Sequence, residues 1–332
     1  MNKKKQILYI VNGETGFINT DEKILSSFSN VRKTVVETVL DCFRLELLLN
    51  FWFADSILIW FASTHTIPAV LLNYFFNKPL FIIAGGWDVA NVPEIKYGGM
   101  RGGSRTVIGR WLLRKAYKVI AVSKSNREEI INNGRVHFSK VKLIYNTAYL
   151  KNHHHIRKRK NHILTVGEIN TDTFLRKGLD YFIKVAQRLP DKSFIHVGKW
   201  TDSNGRPCTK MINYVKKISP PNIQYMGFVN RKELEKYYNE SKVYLQLSRH
   251  EAFGISAVEA LMGGCQPIVS NCYALPEIIG DSGYIVKECI VDETVDYIKT
   301  IFSNEYNLLK PTSTFFERFS IEERKKSFMR IL

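Results

Sequence analysis

Residues 248–270 read SRHEAFGISAVEALMGGCQPIVS, and this stretch decides the fold because it predicts a loop, a helix and a strand in that order. Glu251 and Gly254 lie in the loop, and Glu259 lies in the helix, which ends at a glycine pair. The first backbone N–H groups of a helix lack partners and attract anions, and a glycine lets a ligand come close to the backbone. The helix start is therefore predicted to be an anion site.

Two interpretations of the carboxylates in this stretch follow from the residues alone. Ser256 and Glu259 form the pattern S-x-x-E, a capping box in which Glu259 only satisfies N–H groups of its own helix. Alternatively, Glu251 and Glu259 accept hydrogen bonds from sugar hydroxyls on either side of a bound phosphate. Both interpretations stay open at this point.

A longer string of residue types at fixed spacing resembles the E-x7-E signature of retaining GT-B glycosyltransferases. That signature usually reads E-G-F-G-x-x-x-x-E-A followed by G-x-P-V-V, and Ala252 replaces the usual glycine here. The resemblance implies that the first glutamate contacts the donor sugar, the amides after it hold sugar and diphosphate, and the second glutamate binds the ribose hydroxyls. The residues assigned to the donor in this way are Glu251, Phe253, Gly254, Ile255 and Glu259. Glu251 is also a candidate catalytic residue.

The length of the chain, 332 residues, exceeds the size at which one core usually stops growing, so two domains are expected. Strands alternate with helical segments, which is the pattern of doubly wound parallel sheets. The resemblance implies the GT-B fold, an α/β fold with two Rossmann-like domains facing across a cleft. The predicted division is an acceptor-side domain at 1–150, a linker at 151–161, a nucleotide-sugar domain at 162–311 and, at 312–332, a terminal helix packing back toward the first domain.

In the first half, apolar periodicity predicts strands at 7–11, 57–62, 80–84 and 119–122, and helices at 22–28 and 109–117. The turns after the strands matter because ligands bind at the carboxyl ends of such strands. Short glycine clusters are often plain turns. The resemblance implies instead that Gly13 and Gly16 approach the donor phosphates. Asp88 matches the family's H-G-x-D pattern near the reacting sugar, with Gly85 in place of the histidine, which leaves Asp88 as the catalytic candidate.

In the second half, the sequence predicts strands at 162–167, 193–197 and 223–226, a loop at 168–175 and a helix at 179–189. Arg176 and Lys177 lie where the loop meets the helix, and fixed cations there suit a diphosphate, although a basic surface pair is the alternative. The resemblance implies that Lys177 grips the diphosphate and acts in catalysis. Arg176 is expected to share this task because Glu168 stands where the family has an arginine. The resemblance also places Phe228 in the loop that lines the base pocket.

The net charge of +17 and the pI near 9.5 imply an acidic partner or surface. Much of this charge lies in residues 101–160, which match no nucleic-acid recognition motif, so nucleic acid is not the expected partner. An anionic membrane surface fits, since each Lys or Arg near it contributes about 1 kcal/mol. The helix at 110–118 is predicted either to lie on a bilayer with Trp111 inserted or to pack normally with a solvated basic face.

Other features narrow the class of protein. The five cysteines are scattered without metal-ligand spacing, which favours reduced thiols in a cytosol. No apolar run is long enough for a signal peptide or a membrane span, so the expectation is a cytoplasmic protein, peripheral on the inner membrane face. The histidines at 153–155 belong to a charged linker, so no metal site is expected. His65 is expected to be an incidental loop histidine.

The resemblance implies a retaining glycosyltransferase of the hexosyltransferase type that moves a sugar from a nucleotide diphosphate sugar to an acceptor hydroxyl. The donor is expected to be UDP- or GDP-linked, with no cofactor and no metal, because GT-B enzymes generally need none. The acceptor is expected to be a saccharide or a lipid-linked precursor in polysaccharide, lipopolysaccharide or glycolipid synthesis. The alternatives are a non-catalytic sugar- or nucleic-acid-binding protein on the same fold, an inverting transferase and a sugar epimerase.

Overall fold

The computed structural model describes residues 4–150, 159–202, 205–288, 290–303, 309, 311 and 313–332 of the chain. The chain divides into two compact units, of which the first comprises Met1–Thr147 and Arg318–Leu332 and the second comprises Ala148–Glu317. The sequence predicted these divisions at 150 and 311. Residues 151–158 of the predicted linker lie outside the described residues.

The first unit contains one six-stranded parallel sheet. Its strands are β1 (Gln6–Val11), β2 (Asn30–Val35), β3 (Ser56–Trp60), β4 (Leu80–Ala84), β5 (Lys118–Ala121) and β6 (Val141–Leu143). They lie in the order β2-β1-β3-β4-β5-β6. The helices between them are α1 (Gly16–Ser26), α2 (Leu45–Phe53), α3 (Ile67–Phe76), α4 (Gly103–Lys115) and α5 (Lys124–Asn132). Short 3₁₀ turns span Val39–Phe43, Thr64–Thr66, Pro93–Ile95 and Phe138–Lys140.

Helices cover both faces of this sheet because its central strands are apolar on both sides. Successive strand side chains point to opposite faces, so Leu8 and Ile10 pack in the core beneath α2 to α5. Tyr9 and Trp60 point the other way, where Tyr9 donates to the carbonyl of Ile18 in α1 at 3.0 Å. The buried strands are therefore the part of this unit that apolar runs predict well.

The predicted strand at 57–62 ends earlier than expected, at Trp60. Phe61 adopts a φ of +69°, a left-handed conformation that extended strands do not contain, so the chain turns there. Strands β2 and β6 were not predicted, because β2 alternates exposed and half-buried residues at the sheet edge and β6 has three residues.

The second unit contains another six-stranded parallel sheet. Its strands are β7 (Lys160–Val166), β8 (Ser193–Val197), β9 (Ile223–Tyr225), β10 (Ser241–Gln246), β11 (Gln266–Ser270) and β12 (Tyr284–Val286). They lie in the order β12-β11-β10-β7-β8-β9. The helices are α6 (Thr173–Arg176), α7 (Leu179–Arg188), α8 (Thr209–Ile218), α9 (Arg231–Glu240), α10 (Ile255–Met262), α11 (Leu275–Ile279), α12 (Ile290–Phe302) and α13 (Ser313–Glu317).

The strand order of this sheet reverses between β7 and β10. From β7 the chain adds β8 and β9 on one side, and it then crosses back to add β10, β11 and β12 on the other. Loops leaving neighbouring strands at such a switch point diverge, which opens a crevice at the carboxyl ends of the strands. The predicted loop at 168–175 is corrected here, since residues from Thr173 form the single helical turn α6.

The last helix, α14 (Ile321–Ile331), belongs to the first unit. Ser320 caps it by accepting the backbone N–H of Glu323 at 3.1 Å. Its buried Arg324 pairs with Asp21 of α1 at 2.5 and 2.6 Å and also donates to the carbonyl of Tyr145 at 2.7 Å. This ion pair is closed to solvent and fixes α14 against α1.

Candidate active site

The loops after β7 and β10 are brought together by a close backbone contact at Gly178. This residue has a φ of +67°, and a Cβ there would lie 1.8 Å from the carbonyl oxygen of Leu247, which follows β10. Only glycine fits such an approach. Arg249 strengthens the same contact, since its guanidinium binds Asp180 bidentately at 2.7 Å and its backbone N–H donates to the carbonyl of Arg176 at 2.8 Å.

Lys177 and Glu251 meet at this joint although they lie 74 residues apart in sequence. The ammonium of Lys177 lies 2.5 Å from Oε2 of Glu251, and the two side chains are only 20% and 13% exposed. Gln246 donates to the same carboxylate oxygen at 2.8 Å, and Tyr244 donates to the Gln246 amide oxygen at 3.1 Å. The sequence-predicted pair of a cation and a carboxylate is therefore adjacent at the switch point.

Burial and charge act in opposite directions on this pair. Burial lowers the pKa of Lys177, and the charge of Glu251 offsets part of that effect. Burial alone would raise the pKa of Glu251, but Lys177 and Arg176 outweigh it and hold the pKa below its usual value. Glu251 is therefore an anion that accepts hydrogen bonds at neutral pH. An ammonium has three N–H donors, and the Glu251 contact uses one of them.

The N-terminus of α10 lies immediately after Glu251 in the sequence. Its N-cap residue is Gly254, at a φ of +99°, and no described side chain caps the helix. A Cβ on Gly254 would come within 3.0 Å of Leu275 Cδ2. Phe253 is buried in the core, so only its backbone can serve a ligand, and Ile255 is half-buried. Backbone N–H groups and the helix dipole thus supply positive charge at this point.

Glu259 does not cap its own helix, so the capping-box interpretation is wrong. The N-cap is Gly254 rather than Ser256, and Oε1 of Glu259 accepts from Arg231 of α9 at 2.7 Å. Burial raises the pKa of Glu259, and the charge of Arg231 opposes the rise. Arg231 also donates to the carbonyl of Tyr149. Glu259 is therefore a buried carboxylate paired with Arg231, on the same helix as the anion site.

Sequence reasoning missed two residues that complete this arrangement, Gln246 and Arg231. Gln246 is the last residue of β10, and polar residues at strand ends of a Rossmann-like sheet are a signal that could have indicated it. Arg231 follows the N-cap of α9, whose capping box with Glu233 is visible in the sequence. Neither pattern names the partner, because that depends on how β10 and α9 lie against α10.

The remaining predicted donor residues lie at different distances along the sheet. Arg176 ends α6 beside Lys177, and its charge acts on Glu251. Phe228 follows β9, two strands away from β7, and is exposed with the ammonium of Lys199 5.1 Å from its ring centre. Glu168, in place of the family's arginine, accepts from Thr201 at 2.8 Å. The second unit therefore clusters Arg176 with Lys177, and Phe228 stays a separate prediction.

Asp88 in the first unit builds the turn after β4 and also lines a pocket. Its carboxylate accepts backbone N–H groups of Ala62, Gly85 and Gly86 at 2.9 to 3.1 Å. Burial raises the pKa of Asp88 to about 6, against the effect of these hydrogen bonds. The pocket has a volume of about 330 Å³. Its polar and aromatic lining residues include Ser63, Thr64, Trp87, Asp88 and Arg105.

Gly85 stands where the resembled family has a histidine, and the structure gives a physical reason. A Cβ on Gly85 would lie 2.0 Å from Cε1 of Phe61, so the phenyl ring fills the space that a side chain would use. Gly13 and Gly16, by contrast, have nothing within 4 Å of a built Cβ. The loop after β1 is therefore open to close approach, and its contact with donor phosphates stays a prediction.

His65 is buried and has partners on both ring nitrogens, which differs from the expectation of an incidental loop residue. Nε2 lies 2.7 Å from the carbonyl oxygen of Trp60 and Nδ1 lies 2.7 Å from Oγ of Ser63. Since a carbonyl only accepts, Nε2 carries the proton and Nδ1 accepts from the hydroxyl. Burial lowers the pKa of His65, so it is neutral and holds the turn after β3.

The structure supports the second alternative for the helix at 110–118, in which it packs normally and does not insert Trp111 into a bilayer. Trp111 is half-buried and packs against the core of the first unit, while Arg114 and Lys115 of the same helix are exposed. Helix α4 is an ordinary packed helix with a solvated basic face. Within the described residues, no helix is long and apolar enough to cross a membrane, and no group of three His, Cys, Asp or Glu side chains could hold a metal. The histidines at 153–155 lie outside those residues.

The two sheets and the switch-point site define the class of protein as a GT-B glycosyltransferase fold, which confirms the predicted fold class. The structure is similar to HepE of Anabaena in complex with UDP and glucose, with a TM-score of 0.76, 14% identity and 98% of each chain covered. It is also similar to the lipopolysaccharide outer core galactosyltransferase WaaB, with a TM-score of 0.68, 15% identity and 98% of each chain covered.

The family follows from the sequence match. The model of the glycosyl transferases group 1 matches residues 147–314, about half of the chain, and the chain belongs to this family. A relative from Klebsiella pneumoniae, described as an uncharacterized 41.2 kDa protein in the cps region, is 33% identical over 154 residues. That match covers 43% of this chain and 40% of the relative, so it spans less than half of that protein's length.

Proposed function

We propose that this protein is a retaining glycosyltransferase of the hexosyltransferase type that moves a sugar from a UDP- or GDP-linked donor to an acceptor hydroxyl. The observation that carries this proposal is the contact between Lys177 and Glu251 beside the N-terminus of α10, at the switch point of the second sheet. The cation and the backbone N–H groups suit the diphosphate of a nucleotide diphosphate sugar, and the adjacent carboxylate suits its sugar hydroxyls.

Each part of the donor would contact different residues of the site. The diphosphate would take the remaining N–H donors of Lys177, the charge of Arg176 and the first amides of α10. Glu251, kept ionised by its neighbours, would accept hydrogen bonds from sugar hydroxyls. Glu259 would accept hydrogen bonds from the ribose hydroxyls. Because these groups already supply positive charge where the leaving diphosphate develops negative charge, the proposal needs no metal ion.

Retention of configuration would follow if the departing phosphate takes the proton of the acceptor hydroxyl on the same face of the sugar. The absent histidine fits this, because Gly85 leaves no general base at that position and Phe61 occupies the space. In the first unit, the pocket at Asp88 would hold the acceptor. Trp87 offers it an aromatic surface, and Ser63 and Thr64 offer hydroxyl groups.

Substitution of Lys177 tests the donor site. We expect Lys177→Ala to weaken binding of UDP-glucose or GDP-mannose at least tenfold, which corresponds to about 1.4 kcal/mol, because a charge-assisted contact to the diphosphate is lost. Calorimetry measures the dissociation constant, after a thermal-shift screen in which a donor at about 100 times its Kd adds roughly 2.7 kcal/mol of stability. Lys192→Ala, at the exposed pair with Asp191, is the matched control. Unchanged donor affinity in Lys177→Ala would contradict the proposal.

The acceptor class and the place of action are part of the proposal. We infer a saccharide or lipid-linked acceptor in polysaccharide, lipopolysaccharide or glycolipid synthesis, handled by a cytoplasmic enzyme that is peripheral on a membrane. The net charge of +17 supports an anionic surface. The names of the two relatives, one in a cps region and one acting on lipopolysaccharide outer core, support the acceptor class.

A second candidate is a binding protein of the same fold without catalysis, and the departures at Gly85 and Glu168 favour it. The two candidates differ in turnover. An NMR time course with a nucleotide sugar would show slow donor hydrolysis for the enzyme and none for the binding protein. The configuration of the released or transferred sugar at its anomeric carbon separates a retaining from an inverting transferase, and altered sugar stereochemistry at another carbon would indicate an epimerase.

A further inference from the structure

One face of the first unit is apolar and exposed to solvent. It is formed by the 3₁₀ turn Val39–Phe43, α2 and α3, which pack against one another. The apolar face consists of Val39, Leu40, Phe43, Leu45, Leu49, Trp52, Phe53, Leu71, Tyr74 and Phe75. These ten side chains make up almost half of the twenty-one exposed large hydrophobic side chains in the described part of the chain. Phe75, Phe43 and Leu40 are 86%, 80% and 73% exposed.

Apart from Glu46 and Asn50 in α2 and Asn73 in α3, the two helices carry apolar or aromatic side chains on their buried and exposed sides alike, which a helix at a protein surface in water normally does not. Helix α2 reads LELLLNFWF and buries Leu47 and Phe51, yet Leu45 and Trp52 point outward. Helix α3 reads IPAVLLNYFF and likewise has Phe75 outside. The ring of Trp52 lies 6.4 Å from that of Phe76, so the two helices present one continuous surface. Such a patch indicates a partner.

Cationic side chains border the apolar face and touch its aromatic rings. Arg32 lies 5.1 Å from the ring centre of Phe53, and Lys115 lies 4.9 Å from that of Tyr74. The exposed cation Arg44 lies within the face. Aromatic rings and long basic side chains at the edge of an apolar surface are typical of protein segments that lie in a membrane interface.

Three of the acidic side chains in this region, Asp41, Glu46 and Asp55, have partners of their own. Asp41 accepts the backbone N–H groups of Glu37 and Thr38 at 2.8 and 3.0 Å. Arg44 lies 3.6 Å from Asp41 and 3.8 Å from Glu46. Asp55, at the far end of α2, accepts the backbone N–H of Gln6 at 2.8 Å. Glu37 is exposed beside the turn. The charged groups in contact with the aromatic rings at the border of the apolar face are therefore the cations Arg32 and Lys115.

We infer that the apolar face docks the protein on a lipid bilayer that contains anionic headgroups. Phe43, Trp52 and Phe75 would enter the boundary between headgroups and acyl chains, and Arg32 and Lys115 would lie at the lipid phosphates. This inference rests on the proposed function, which places the enzyme at a membrane. It assigns the membrane contact to α2 and α3 instead of α4.

A second copy of the chain is a weaker occupant for physical reasons. Contact of the same face on two copies would bring the basic borders of two chains, each with a net charge of +17, toward one another. An anionic bilayer instead attracts the same charges. Charge complementarity therefore favours lipid over self-association.

Vesicle flotation tests the inference. We expect the wild-type protein to bind vesicles of 70% phosphatidylcholine and 30% phosphatidylglycerol, and to bind pure phosphatidylcholine vesicles at least tenfold more weakly. The variant Phe43→Ser/Trp52→Ser/Phe75→Ser should lose at least tenfold in affinity for the anionic vesicles. The matched control is Phe138→Ser/Tyr214→Ser/Met329→Ser, three exposed apolar residues elsewhere, which should bind like wild type. Circular dichroism and thermal melting verify that both variants fold.

Two further measurements identify the contacting residues. Brominated lipids should quench the tryptophan emission of the bound wild-type protein, and Trp52→Phe should bind similarly but lose most of this quenching. Arg32→Gln/Lys115→Gln should reduce the preference for anionic over neutral vesicles at least threefold. Each result would support docking through this face.

Other results would overturn the inference. They are no binding of wild type to anionic vesicles, equal loss of binding in the control variant, or a dimer in ultracentrifugation that the triple serine variant dissociates. Donor binding is measured separately, without vesicles. A protein that binds UDP-glucose but no vesicles would contradict docking alone, and one that binds vesicles but no nucleotide sugar would contradict the proposed function alone.

Discussion

Asp88 has three backbone N–H donors around a buried carboxylate, yet its pKa is raised. Burial is the larger effect, because removing water from an anion costs more than the amides return. An acid with a raised pKa stabilises the folded state fully below its unfolded pKa, and this contribution is lost as the pH rises through the folded value. The contribution of Asp88 to stability therefore falls as the pH rises from about 4 to about 6, and the loss is complete above pH 6.

We expect the stability of the wild-type protein to fall relative to that of Asp88→Asn as the pH rises from 4 to 7. A pKa raised from 3.8 to about 6 corresponds to about 3 kcal/mol of unfolding free energy. Urea denaturation at several pH values measures this difference. The Asp88→Asn variant would lose some hydrogen bonds at every pH, so the slope of the difference is the readout, and parallel pH profiles would refute the assignment.

The sequence predicted which residues form the donor site only where a motif fixes their spacing. Lys177 and Glu251 were predicted because each lies in a motif, and the structure places them in contact. Gln246 and Arg231 were not, because a strand-end amide and a helix-start arginine acquire partners only through packing. The replacement of the family's histidine by Gly85 could not be explained from the sequence either, because the explanation depends on where the ring of Phe61 lies.

At the scale of elements, Gly178 allows the start of α7 to contact the main chain just after β10. We expect Gly178→Ala to cost about 2 kcal/mol more unfolding free energy than Gly205→Ala. Both glycines have a positive φ, +67° and +75°, so both substitutions cost about 1 kcal/mol for that reason. Only at Gly178 would the new methyl group overlap a main-chain carbonyl, that of Leu247, while Gly205 has nothing within 4 Å.

Chemical denaturation of the two variants measures the difference in unfolding free energy. Equal losses in both would mean that the closeness of Leu247 has no energetic consequence. Donor affinity should also fall in Gly178→Ala alone, since the shift would move Lys177, its neighbour in sequence, away from Glu251.

Elements were predicted well where apolar residues are also buried, as in β1, β4 and β8. Periodicity does not distinguish an apolar helix inside a core from one that exposes its apolar side. In this region the strand at 57–62 was predicted, and the exposure of Trp52 and Phe53 in α2 was not foreseen. The short helix α6 was missed because one turn leaves no periodic signal.

At the scale of the whole chain, Arg324 connects the last helix with the start of the sequence. We expect Arg324→Met to destabilise the first unit by about 3–5 kcal/mol, because Asp21 would stay buried without its cation. Arg330→Met, at an exposed position of the same helix, should have little effect. Thermal unfolding followed by calorimetry measures both, and similar melting temperatures for the two variants would contradict this role of the ion pair.

The return of α14 to the first unit has a consequence for synthesis on the ribosome. Arg324 is translated 303 residues after Asp21, whereas the second unit is one uninterrupted stretch of the chain. Until then, the nascent first unit cannot form the buried ion pair between Asp21 and Arg324. The first unit therefore completes its core only after the whole second unit has been synthesised.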